Sequence, residues 1–296
     1  MLAVADRLRY VPDPYAARLA STRAHTIIVA VPLPGQWYYA QVVAGVEAVA
    51  SGADFDLQLH VVGDDVQRRH FVEDVLPQQR RIDGAVLVDI PLGEDDVATL
   101  RERGTTTVGV GQRLDGIITV GIDNRRAAYE ATTHLLSCGR ERIGLLGGMP
   151  DGRSHLSIPR EREEGYREAH ADAGVDVEES IVVNGNFSVA GGFDATKQLL
   201  ASNSPPDGIF ALSDEMAAGA IQAARERAVA VPEDLALVGF DDHELAGAMG
   251  LTTVRQPVVE LGEAAAQALL DAVEGNPWPE SRILTHQLVV RATSCS

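Results

Sequence analysis

The chain has 296 residues, 45% of them apolar and 23% charged, a balance that fits more than one packed core and excludes a disordered polypeptide. No run of 18 apolar residues free of charge occurs, and charges interrupt the opening stretch MLAVADRLRYVPDP, so neither a transmembrane helix nor a secretory signal is predicted and a cytoplasmic location is expected. The net charge of −18 makes the body repel nucleic acid, whereas the first 25 residues carry Arg7, Arg9, Arg18 and Arg23 against Asp6 and Asp13; any DNA contact is expected to be confined to that arm.

Short β-branched runs alternate with helical patterns along most of the chain. HTIIVAVPL (25–33) reads as a strand, followed by a helix over 38–51. FDLQLHVV (55–62) is a strand and a helix follows near 66–79, after which DGAVLVDI (83–90), TTVGVG (106–111) and ITVGID (118–123) are predicted strands. The rhythm then restarts. A helix over 124–139 stops at Gly139, a residue suited to a left-handed helix end. Strands at 142–148, 179–185, 207–213 and 235–241 alternate with helices at 159–174, 189–202 and 214–227. An extended segment at 252–257, a helix over 258–275, a turn-rich link at 275–281 and terminal strands within 282–293 complete the chain.

Near-continuous apolar strands with amphipathic crossovers point to parallel sheets buried on both faces. Two successive sets predict an α/β fold of two doubly wound parallel-sheet lobes with a ligand cleft between them, formed by the carboxyl ends of the strands. The two cysteines, Cys138 and Cys295, lie far apart with no metal-ligand or redox spacing, so they are expected to be a buried thiol and a tail thiol, with no disulfide and no metal site. GVGQRLDG (109–116) does not fit a dinucleotide-binding loop, and no P-loop, GxSxG or HExxH occurs. No set of residues reads as catalytic acid, base and nucleophile together, so neither enzyme activity nor a cofactor is predicted.

Several stretches resemble one family. RLRYVPDPYAARLAS (7–21), GIDNRRAAYEATTHLLSCGRERIGLLGG (121–148), IPREREEGYREAHADAG (158–174), ALSDEMAAGAIQAARER (211–227), VPEDLALVGFDD (231–242) and GLTTVRQPVVELGEAAAQALL (250–270) resemble, in order and over nearly the whole chain, motifs of LacI/GalR transcription regulators. The resemblance implies a periplasmic-binding-protein-like core, a homodimer, and a small-molecule effector, sugar-like in kind, bound between the lobes and coupled to operator DNA. It implies a remnant of headpiece and hinge at 1–23, an N-terminal lobe from 24–122 plus 257–277, and a C-terminal lobe from 123–256 plus 278–296. Met1 falls within what resembles the last headpiece helix, so the helix-turn-helix is expected to be largely missing and DNA binding to be weak. Tyr15, Ala17, Arg18 and Leu19 match the hinge segment, with Leu19 in the place of the leucine that wedges into the minor groove; an N-terminal arm without that role is the alternative. The helix at 38–51 and the region 66–79 are expected at the dimer face by the same analogy.

The resemblance also nominates cleft residues. Asp241 follows its strand directly and matches a family ligand aspartate, while its other role is to cap the next segment. Arg162 matches an effector-binding arginine, whereas its sequence neighbourhood alone suggests an exposed helix residue paired with Glu163 or Glu164, and Arg160 competes for the role. Phe187 matches an aromatic that stacks on the effector. Trp37 and Tyr38 form a loop aromatic cluster that either contacts the ligand or covers the lobe edge. Ser213 and Asp214 read first as a helix N-cap and second as ligand contacts, and Gln112 and Arg113 end the fourth strand near the cleft. Two other classes share these features: a solute-binding protein of the same fold, which calls for a signal peptide, and an α/β enzyme, which calls for a phosphate-cradling loop.

Overall fold

A computed structural model describes residues 24–77, 82–113, 115–148, 157–276 and 280–295. The hinge candidates Tyr15, Ala17, Arg18 and Leu19 lie outside these residues. In chain order the first sheet takes β1 (Thr26–Val31), β2 (Asp56–Val61), β3 (Gly84–Val88), β4 (Thr107–Val110) and β5 (Ile118–Gly121). Between them run α1 (Trp37–Gly52), α2 (Asp65–His70) and α3 (Glu94–Glu102). The second sheet takes β6 (Ile143–Gly147), β7 (Val182–Asn184), β8 (Gly208–Ala211), β9 (Ala236–Asp241) and β10 (Thr252–Arg255). Its helices are α4 (Asn124–Ser137), α5 (Ser157–Asp172), α6 (Val189–Leu199), α7 (Asp214–Glu226) and the short α8 (Ala246–Met249). The chain then forms α9 (Val258–Glu274), β11 (Arg282–Ile283) and β12 (Gln287–Val289).

The strand order is β11-β5-β4-β3-β1-β2 in one sheet and β12-β10-β9-β8-β6-β7 in the other. Every strand pair is parallel except β10 with β12. β1, β3, β6, β8 and β9 are buried along their whole length, as parallel strands covered on both faces must be. Apolar clusters lie on both sides of the first sheet, around Val42, Val46, Leu261 and Leu269 on one face and Phe71, Leu76, Leu87 and Leu100 on the other. A further cluster around Leu145, Tyr166, Phe210 and Phe240 fills the second lobe.

On one face of the first sheet, α1 and α9 cross at glycines. A methyl group on Gly45 would strike the Val259 carbonyl, and one on Gly262 would strike the Val42 carbonyl. The absence of both side chains therefore sets how closely the backbones approach. This ties the middle of α1, whose first turn faces the cleft, to a helix that enters from the second lobe.

Among the described residues the chain crosses between lobes three times: at 122–123 between β5 and α4, at Gln256–Pro257 between β10 and α9, and at 284–286 between β11 and β12. Two expectations are corrected here. The assignment of all of 278–296 to the second lobe fails, because Arg282 and Ile283 pair with Val120 and Gly121 in the first sheet. The helix α3 buries only Val97 and Leu100 beneath an otherwise charged surface, and two apolar positions are too few to carry a helical period in the sequence. The cysteines do not stand apart as two thiols: Cys138 at the end of α4 and Cys295 form a disulfide, with Cα atoms 5.6 Å apart. The terminal segment returns beside β9 and β10, as Leu237 N donates to Thr293 O and Thr293 N donates to Gly250 O. The predicted helix at 66–79 is α2 continued by a π-helical turn at Phe71–Val75.

Candidate functional site

In doubly wound sheets the strand order reverses at one gap, and ligands sit outside the carboxyl ends of the strands beside it. In the first sheet that gap is β1/β3 and in the second it is β6/β8. The two gaps face one another across a cavity of about 610 Å³ of space between atoms, counting open solvent at its mouth. The first lobe lines it with Leu33 and Gln36 after β1, Tyr38 and Tyr39 from the first turn of α1, and Asp89 directly after β3. The second lobe contributes Ile158, Pro159 and Arg162 from the start of α5, Phe187 before α6, Ser213 and Glu215 after β8, and Asp241 at the end of β9.

Arg162 is 6% exposed. It lies on the buried face of α5 with Ile158, Pro159, Gly165 and Tyr166, the one-sided spacing expected of a packed helix. Its Nε donates to Asn124 Oδ1 at 2.9 Å, its Nη1 donates to Leu212 O at 2.7 Å, and its guanidinium lies 3.5 Å from the Phe240 ring centre. Glu163 and Glu164, its neighbours in sequence, pair with Arg167 and Arg160 instead. Burial lowers the pKa of Arg162, and the nearby Asp241, Tyr38 and Asp89 oppose that shift.

Asp89 and Asp241 hold corresponding places in the two lobes. Each follows an apolar strand and each has a left-handed backbone angle, φ 49° at Asp89 and 119° at Asp241. Burial pushes both carboxyls up to about 7, while the Arg162 charge pulls each back down. Asp241 accepts a hydrogen bond from Gln256 Nε2 at 2.6 Å. Asp89 takes the Gln112 N–H and the Tyr39 side chain as partners, yet its Oδ1 is buried with no partner among the described residues. Room for that oxygen exists because residue 111 is glycine: a methyl group there would overlap Asp89 Oδ1. Burial also raises the Tyr38 hydroxyl well above its ordinary pKa, with Asp89 adding to the shift.

The lobes touch across the cleft. Gln36 Nε2 donates to Phe187 O at 3.2 Å, the Trp37 and His243 rings lie 4.9 Å apart, and the Trp37 backbone N–H donates to the Glu215 carboxylate. Phe187 itself sits at φ 46°, a strained angle for an aromatic residue that holds its ring and carbonyl at the opening.

Of the nine predicted cleft residues, Tyr38, Arg162, Phe187, Ser213 and Asp241 line the cavity. Ser213 also caps α7, its hydroxyl accepting from Met216 N. Trp37 lies beside the cavity at the lobe contact, with Nε1 buried and unpartnered among the described residues. Three are not brought in. Asp214 is turned into the second lobe, where it accepts from Thr253 Oγ1 at 2.6 Å and His243 N at 2.8 Å. Gln112 serves through its backbone, and Arg113 is exposed, within electrostatic reach of Glu161. Asp89, Gln36 and Glu215 were missed. The first had a signal, since GAVLVD ends as ALVGFD does.

A model of a periplasmic binding protein-like domain matches residues 132–294. The chain is 30% identical to the HTH-type transcriptional repressor CytR of Escherichia coli strain K12, over 98% of this chain and 85% of that repressor. The chain belongs to the LacI/GalR family of transcriptional regulators. It is 31% identical to the ribose operon repressor of Escherichia coli strain K12, over 99% of this chain and 89% of that protein. Among solved LacI/GalR structures, the complex of the regulator CelR with cellobiose superposes with a TM-score of 0.81 at 29% identity, covering 98% of this chain and 88% of that one. A LacI-family regulator from Enterococcus faecium with bound ribose gives a TM-score of 0.79 at 26% identity, covering 91% and 98%. The two six-stranded parallel-sheet lobes are the periplasmic-binding-protein-like core of this family.

Proposed function

We propose that this LacI/GalR regulator senses a neutral sugar between its lobes and transmits occupancy to DNA through a homodimer. The observation that carries the reading is the placement of Asp89 and Asp241, one from each lobe, around the buried Arg162. Sugar hydroxyls donate well to carboxylates, and buried hydrogen bonds to charged groups are the strong ones. The rings of Tyr38, Tyr39 and Phe187 offer apolar faces to a sugar ring. A sugar phosphate would meet two carboxyls and an arginine whose Nε and Nη1 are already engaged, which favours a neutral ligand. The cellobiose and ribose complexes of the related regulators support the same class.

A ligand held by both lobes binds the closed form more tightly and shifts the population towards it. Exposed Leu59, Val61 and Val66, on β2 and α2, support a dimer face on the first lobe. None of the described cleft residues reads as a nucleophile with its base, so the site is taken to bind without turnover.

Calorimetric titration with mono- and disaccharides, their phosphates and nucleobases tests this. A neutral sugar should bind, and Asp89→Asn and Asp241→Asn should each weaken it by about 10- to 100-fold, the equivalent of one charge-assisted hydrogen bond. Tight binding of a sugar phosphate or nucleobase with no response to neutral sugars would overturn the ligand class, and product formation would overturn the sensor reading.

A further inference from the structure

Helix α4 begins at the cleft, where Asn124 holds Arg162, and ends where Cys138 meets Cys295. His134 and Cys138 lie four residues apart and so share one face of its last turn. The terminal segment brings Cys295 to that face. His134 Nε2 lies 3.7 Å from Cys138 Sγ and 3.8 Å from Cys295 Sγ, and the three donor atoms all fall within 4.8 Å of one another.

From this geometry we infer that the dithiol form of Cys138 and Cys295, together with His134 Nε2, is a three-donor site for a soft divalent cation of the zinc type. A tetrahedral zinc site with Zn–S near 2.3 Å and Zn–N near 2.0–2.1 Å spaces its ligand atoms roughly 3.5–3.8 Å apart. The two sulfur–nitrogen edges, at 3.7 and 3.8 Å, lie within about 0.3 Å of the length that such a site needs. The third edge is closed by the disulfide and opens once the bond is reduced. The exposure of Cys295, against the partial burial of His134 and Cys138, leaves it free to move by that amount and leaves a fourth position open to water.

The frame is rigid around this movable thiol. Thr293 and Ser294 are buried. Thr293 Oγ1 accepts from Thr252 N at 2.9 Å, and Ser294 Oγ lies 2.8 Å from both Thr252 Oγ1 and His134 Nε2. On metal binding, the Ser294 hydroxyl gives up its contact with Nε2 and keeps the one with Thr252. The thiolate and imidazole donor set selects zinc or its analogues over magnesium and calcium, which prefer oxygen.

The two states exclude each other. A dithiol reductant passes two electrons and two protons to the Cys138–Cys295 bond, giving two thiols and the cyclic disulfide of the reductant. The cation then displaces the two thiol protons to solvent and binds both sulfurs. In the reverse direction a small-molecule disulfide accepts the two electrons by thiol–disulfide exchange and leaves as its two thiols, the Cys138–Cys295 bond re-forms, two of the three donors are lost and the cation leaves.

The test uses the full chain, reduced with a dithiol, freed of reductant under nitrogen and titrated with Co²⁺. Thiolate-to-cobalt charge-transfer bands should grow to one equivalent and vanish on addition of Zn²⁺. They should be absent from the oxidised chain. Cys295→Ser should weaken binding at least tenfold and reduce the charge-transfer intensity. His134→Gln should keep the charge-transfer bands but shift the d–d bands and weaken binding by a similar factor. Cys295 is exposed, so its variant is expected to fold, and the far-ultraviolet dichroism of each variant verifies this. Absence of thiolate bands in the reduced chain, or bands unchanged in Cys295→Ser, would overturn the site.

Discussion

Replacing Arg162 by leucine separates two things that this guanidinium does. One is independent of pH: Asn124 Oδ1 and Leu212 O lose their donors. Buried acceptors left unsatisfied cost about 1–3 kcal/mol each. The other depends on pH, because Arg162 opposes the upward shift of both Asp89 and Asp241, whose carboxyls lie at about 7. Carboxyls raised in the native state hold protons that the unfolded chain has released. Their contribution to stability is complete below about pH 3.9 and is lost as the pH rises to the native value. In the parent chain that loss ends near pH 7. Without Arg162 both values move higher, and the loss continues above pH 7 at about 1.4 kcal/mol per pH unit for each carboxyl. The expected deficit is therefore about 2–6 kcal/mol near pH 6, growing by up to about 3 kcal/mol towards pH 8. Urea unfolding of both proteins at intervals from about pH 5 to 8.5 measures it, with the slope monitored for two-state behaviour. Stability curves that stay parallel above pH 7 would refute the electrostatic coupling of Arg162 to these carboxyls.

Three further outcomes are expected. Sugar affinity should fall as the pH drops below about 7, by up to tenfold per unit for each carboxyl that must lose a proton to accept hydroxyls; calorimetry in buffers of different ionisation enthalpy should detect the released protons. Gly262→Ala should cost about 1–3 kcal/mol or more, because the new methyl group overlaps the Val42 carbonyl and the backbone cannot yield without parting α1 from α9; an unchanged urea midpoint would contradict so close a crossing. Gln36→Ala should leave the fold intact but weaken sugar binding severalfold, since it deletes the hydrogen bond to Phe187 O that joins the lobes across the cleft; scattering in the absence of ligand should show a more open particle.

The alternation of buried strands and helices was legible because parallel strands covered on both faces leave near-continuous apolar runs such as TIIVAV and ALVGF. The same rule, applied evenly, reaches Asp89 as readily as Asp241, because both carboxyls end such runs. Asp214 misled for a physical reason. A carboxylate in the first turn after a strand suits a ligand, a cap or an internal bond equally, and here Thr253 Oγ1 and His243 N take it. The buried state of Arg162 was hidden by the charges around it, Arg160, Glu161, Glu163 and Glu164, which suggest a solvated face. Only the apolar spacing of Ile158, Tyr166 and Ala169 places it inward. The meeting of Cys138 with Cys295 depends on where a 157-residue separation closes, which no local pattern encodes. The two residues of β11 are too few to carry a period.

The three passages of the chain between the lobes set what ligand occupancy can do mechanically. One tether lets two bodies swivel freely, and two define an axis. A third beside them resists sliding and twisting and leaves bending as the soft coordinate. A ligand that touched both lobes would then specify a single angle, whichever of its groups it used. Gln256 belongs to one of these tethers and also holds the Asp241 carboxyl, so the state of that acid acts directly on the joint. Exchange of the side chains around the cavity retunes which molecule sets the angle, while the geometry of the tethers, and with it the form of the output, stays the same.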